Sequence, residues 1–65
     1  MYQLWIRKPE TNWMLITCFD NEASVDYMLD QAKEAGASEA IVLTHEGPTR
    51  IARAVAYQEF KGKTR

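Results

Sequence analysis

A two-layer α+β sandwich in the order β-β-α-β-β is the fold class that this 65-residue sequence predicts. Three observations carry it. Residues 2–7, YQLWIR, alternate in character; residues 20–37, DNEASVDYMLDQAKEAGA, have the spacing of one capped amphipathic helix; two further apolar segments follow, separated by a Gly-Pro pair. Two strand pairs joined by one helix give a four-stranded, mainly antiparallel sheet with the helix on one face.

The first segment is rich in β-formers and reads as a strand. KPETN behind it supplies Pro, Thr and Asn, all turn residues. Residues 13–19, WMLITCF, are apolar on both parities, as in a strand covered on both faces, and form a hairpin with the first segment. In the helical segment, Asp20 or Asn21 is placed to cap the start, and Glu22 lies near the positive end of the helix dipole. Val25, Met28, Leu29 and Ala32 follow the i, i+3, i+4, i+7 spacing of a core-facing stripe. Gly36 stands where a left-handed C-cap is wanted.

AIVLT, residues 40–44, is short, apolar and β-branched, hence a third strand. Residues 51–57, IARAVAY, admit two readings. Three alanines favour a helix, which would give β-β-α-β-α, but the apolar residues would wrap nearly the whole helical circumference. A strand is the preferred reading. The helix returns the chain, so the second and third strands run in the same direction through a right-handed crossover. Residues 1–60 are expected to form one small domain, with 61–65, KGKTR, a frayed basic tail.

A domain this small hides only about 60% of its unfolded surface, and such cores rarely supply more than roughly 3–5 kcal/mol. Disulfides, metals or oligomerisation often make up the difference. One cysteine forms no internal disulfide, and Cys18 and His45 stand apart with no metal-ligand spacing, so no metal and no cofactor are expected. The composition, 46% hydrophobic with two Trp, three Tyr and two Phe, is that of a globular chain. No signal peptide is legible, and WMLITCF falls far short of the roughly 20 residues that span a bilayer. A cytoplasmic protein without membrane contact is therefore expected. The net charge of −1 argues against non-specific binding to nucleic acid, which rests on summed positive charge.

THEGPTR, residues 44–50, holds the only histidine and is the one stretch that invites a catalytic reading. Cys18 and His45 each end a strand running in the same direction, and Asp20 could orient the imidazole, as a nucleophile–base–orienter set requires. The helix-facing side would hold Cys18 with Met14 and Ile16, and His45 with Ile41 and Leu43. The plainer reading is stronger. Gly47-Pro48 between apolar segments is turn punctuation, a lone cysteine behaves as a small hydrophobe, and a pocket of roughly 300 Å³ or more is hard to build in so small a domain. The segment reads as a turn, and the protein as non-enzymatic.

Binding is the expected mode of action, and the sheet face without a helix is the first candidate. If Leu4, Ile6, Met14, Ile16, Ile41 and Leu43 face the helix, the other side shows Trp5, Arg7, Trp13, Leu15, Thr17, Val42, Arg53 and Tyr57. Contiguous apolar patches mark interaction sites, and Trp, Tyr and Arg are enriched at hot spots. A reversed parity, or a tail folded across the face with Phe60 as anchor, would remove the patch. A second copy is the preferred occupant, through a self-complementary contact; another protein is the next. Single-stranded nucleic acid stacked on Trp5 and Trp13 between Arg7 and Arg53 is the alternative. The second candidate surface is the acidic row Glu22, Asp26, Asp30 and Glu34, about 18 Å long at ~1.5 Å per residue. It would suit a basic partner, imitating a run of phosphates, or be an ordinary solvated helix face.

Overall fold

Alternation in YQLWIR becomes β1, Tyr2–Arg7, and WMLITCF yields β2, Met14–Phe19; α1 is Val25–Glu34, followed by β3, Glu39–Glu46, and β4, Ile51–Glu59. The computed structural model describes residues 1–46 and 51–60, without the side chains of residues 45, 46, 51 and 52. The turn expected at Gly47-Pro48 and the tail at 61–65 lie outside the described residues. The strand order is β2-β1-β3-β4, with every neighbouring pair antiparallel. β2 and β3 therefore run in the same direction, with β1 between them. Residues 51–59 are strand, so the helical alternative for the last element is wrong. Pairing along β3 overrides the helix propensity of its three alanines.

The turn between β1 and β2 follows from its composition. The Thr11 N–H donates to the Lys8 carbonyl at 3.1 Å, Pro9 presets the first corner, and Glu10 takes the left-handed φ of 69°. That is the arrangement of a type II turn, whose second corner is usually glycine. The Thr11 hydroxyl closes the turn by accepting from the Lys8 N–H at 3.1 Å.

Both ends of the helical segment are capped, as the sequence leads one to expect. Asn21, extended at φ −100°, accepts from the Ala23 N–H through its side chain at 2.9 Å. A single 3₁₀ turn, Glu22–Ser24, leads into α1. At the other end Gly36 takes φ 89°, its N–H donates to the Lys33 carbonyl and the Ala37 N–H to the Ala32 carbonyl, each at 3.1 Å. These two bonds make a Schellman motif, and Ala32 and Ala37, its accompanying apolar pair, are both buried.

The core lies between α1 and the two central strands. Leu4, Ile6, Ala40 and Val42 from the sheet and Ala32 and Ala37 from the helical side form one buried cluster. Three of these six are alanines, so helix and sheet approach closely and bury little side chain. Val25, Met28, Leu29, Ala56 and Phe60 pack around it with Tyr2 and Phe19, the last two stacked with ring centroids 5.5 Å apart. Phe60 thus anchors to the core cluster rather than across the open face. Its N–H donates to the Ser38 carbonyl at 3.0 Å, while the Ser38 N–H and hydroxyl both donate to the Arg7 carbonyl, at 2.8 and 2.9 Å. Buried Thr44 donates to the Met1 carbonyl at 3.2 Å.

Residues directly across a ladder share a face, and this corrects several sequence-based assignments. In β3 it is Ala40, Val42 and Thr44 that are buried, so Ile41 and Leu43 point away from the helix and Val42 points to it. Both parities of AIVLT are apolar, and the close helix selects the smaller set. A bulge at Ile16 pairs Leu4 with Thr17 but Trp5 with Leu15. It leaves Thr17 on the helix side and puts Cys18, opposite Gln3, on the open side. A second bulge at Val55 pairs Val42 with Ala56 but Leu43 with Ala54. Arg53 then lies opposite Thr44, on the helix side, and not beside the tryptophans. A bulge inserts one residue and inverts every later side chain relative to a regular strand.

Candidate interaction face

The open face is built on β1 and β3. Alternation on β1 presents Gln3, Trp5 and Arg7; the same parity of β3 presents Glu39, Ile41 and Leu43. Leu15 joins from β2 opposite Trp5, Tyr57 and Glu59 from β4 opposite Ile41 and Glu39. Trp13, at the end of the turn, leans over the same side. Trp5, Trp13, Ile41 and Leu43 line a shallow, open groove of about 370 Å³. Trp13 is 38% exposed, Leu15 45% and Tyr57 51%.

Six polar side chains on this face are occupied by one another. The Trp5 indole N–H donates to Gln3 Oε1 at 3.1 Å. Arg7 and Glu39, directly opposite across the ladder, form a two-pronged pair, Nε to Oε1 at 3.0 Å and Nη2 to Oε2 at 2.9 Å. The Tyr57 hydroxyl donates to Glu59 Oε2 at 3.1 Å. Through its hydrogen bonds, Arg7 holds the Glu39 carboxyl below the ordinary carboxylate range, and the guanidinium is in turn held more firmly protonated. The Tyr57 hydroxyl is pushed up, first by partial withdrawal from water and then by its bond to Glu59.

A pH dependence with a definite sign follows. A carboxyl whose folded pKa is depressed contributes stability that is present above its unfolded pKa and is lost as pH falls through the folded value. Glu39 is therefore expected to titrate below the ordinary glutamate value in carbon-detected NMR. In Arg7→Gln it should move up into the ordinary range, and the acid-side loss of stability should shrink. A Glu39 that titrates at the ordinary glutamate value in wild type would contradict the pair.

Of the six residues proposed for the sheet face, Trp5, Arg7, Trp13, Leu15 and Tyr57 lie together on it, and Arg53 does not. Sequence reasoning missed Ile41 and Leu43, which form half of the groove wall, and Gln3, Glu39 and Glu59, which satisfy its polar groups. The one available signal was Ala40, a small residue placed where a helix must come close. No protein-family model, curated protein or solved structure matches this chain.

The other two candidates read differently. Cys18 is exposed and on the open side, and β1 separates its strand from that of His45 by about 10 Å, two strand spacings. The His45 side chain lies outside the described residues. Among the described residues no group of three or more His, Cys, Asp or Glu is placed to hold a metal, and no helix is long and apolar enough to cross a membrane. Glu22, Asp26, Asp30 and Glu34 are all exposed, but Glu22 belongs to the 3₁₀ turn. That turn advances about 120° per residue against 100° in an α-helix, which sets Glu22 off the row formed by the other three.

Proposed function

We propose that this chain acts by binding, not by catalysis, and that its open sheet face receives an apolar protein surface. One observation carries the reading: a groove walled by Trp5, Trp13, Ile41 and Leu43 on a face whose Trp5, Arg7 and Tyr57 donors already have partners within the chain. Such a face offers apolar area while its Trp5, Arg7 and Tyr57 donors are already engaged within the chain. It also disfavours single-stranded nucleic acid, because Arg7 is tied to Glu39 and Arg53 lies on the opposite side. The acidic helix residues show only the exposure of a solvated face, so the proposal does not include them.

The test uses the apolar dye anilinonaphthalene sulfonate on dilute, folded protein. Dye binding is expected in wild type, lost in Trp13→Glu and retained in Tyr27→Ser, whose tyrosine is 60% exposed on the helix. No binding to folded wild type, or equal binding by Trp13→Glu, would sink the proposal. A single-stranded oligonucleotide that bound at low salt and dissociated with added salt would transfer the face to nucleic acid.

A further inference from the structure

We infer that the occupant of the open face is a second copy of this chain, packed groove to groove; this rests on the reading of that face as a protein-binding surface. Three features of the molecule point to self-pairing.

The first is the thinness of the chain's own core. Among the described residues its buried cluster has Leu4, Ile6 and Val42 as large side chains, beside three alanines, while Trp13, Leu15 and Tyr57 remain exposed on the open face. A copy of the same chain supplies the missing burial wherever the protein is made, and binding of the folded form stabilises it by mass action.

The second is charge. A partner that fills the groove meets apolar side chains and needs no complementary ions there, and the groove wall is itself such a surface. Among the described residues the ionised groups of this face, Arg7, Glu39 and Glu59, gather at one end, where β1 finishes and β3 begins. A two-fold axis crossing the strands puts that end of each copy at opposite rims of the dimer, so carboxylates do not face carboxylates.

The third is position. The groove lies over the central strands β1 and β3, so a two-fold axis in the plane of the interface returns it onto itself, as an isologous contact requires. Aligned sheets pack about 10 Å apart, which makes the dimer a helix–sheet–sheet–helix stack with both helices outward.

Four strands of six to nine residues span roughly 20 by 25 Å, a contact below the about 800 Å² per partner of a standard interface and in the range of weak, transient ones. Dissociation on micromolar dilution is therefore expected. Light scattering on wild type, Trp13→Glu and Ile16→Lys, from about 100 μM to below about 1 μM, reads it out. Self-pairing predicts twice the chain mass at the high end, falling on dilution. Trp13→Glu should be monomeric throughout with unchanged far-ultraviolet circular dichroism, and Ile16→Lys, on the outer strand, should still dimerise. A dimer lost in Ile16→Lys but kept in Trp13→Glu would overturn the inference in favour of edge pairing through β2. Wild type monomeric at every concentration would overturn it too, while retained dye binding would leave the face to a different protein. Should Trp13→Glu not fold, wild-type tryptophan emission decides: a red shift on dilution supports the dimer, and constancy overturns it.

Discussion

Leu4→Ala is expected to leave this protein largely unfolded at room temperature. Leu4 is 2% exposed, on the central strand β1, and is one of the two largest fully buried side chains. Leucine-to-alanine changes in cores cost about 2–5 kcal/mol, against a total of roughly 3–5 kcal/mol for a domain of this size. Loss of the cooperative urea transition, followed by far-ultraviolet circular dichroism at fixed protein concentration, would report it. Fixed concentration matters because self-association raises apparent stability. Leu15→Ala is the control: Leu15 is 45% exposed, and truncation there should leave a folded chain. A Leu4→Ala protein with a near-native midpoint would show that the helix-side cluster is not the core.

Ala40→Leu should be nearly as damaging, for the opposite reason. Ala40 is fully buried at 0% exposure and shares the core cluster with Ala32 at 2% and Ala37 at 6%. These small side chains let the helix lie close on the sheet, and three added carbons have nowhere to go. Overpacking a tight core costs about 1–3 kcal/mol, and the relief available here is to lift α1 away. The expected result is a lowered urea midpoint with the near-ultraviolet signal weakened before the far-ultraviolet one. Ala54→Leu, on the exposed side of β4 opposite Leu43, should fold normally. Equal stability of Ala40→Leu and wild type would mean that the helix does not pack as described.

The local rules of the chain are readable wherever one residue type has one physical use. Asn21 caps because its short side chain reaches the Ala23 N–H, and Gly36 ends the helix because it takes a positive φ without steric cost. Leu4 and Ile6 alternate with Trp5 and Arg7, so β1 had only one parity that could bury its aliphatic residues. β3 is different. Ile41, Val42 and Leu43 are interchangeable in hydrophobicity, and nothing local tells which of them meets a helix. The candidate face was therefore recognised through its tryptophans, with half of its groove wall assigned to the wrong side.

The first four elements and their order, the capped start and the Gly36 end of the helix, and the alternation of Trp5 and Arg7 with Leu4 and Ile6 were thus determined by the sequence alone, because each depends on neighbours within a few residues; which parity faces the helix, and that the last element is a strand, were not. The faces of Cys18 and Arg53, the order β2-β1-β3-β4 and the pairing of Arg7 with Glu39 were decided only in the tertiary structure. The bulges at Ile16 and Val55 belong to the pairing of one strand with its neighbour and not to either strand by itself. An inserted residue of that kind has no signature in either strand, yet it reverses the side on which every residue beyond it stands.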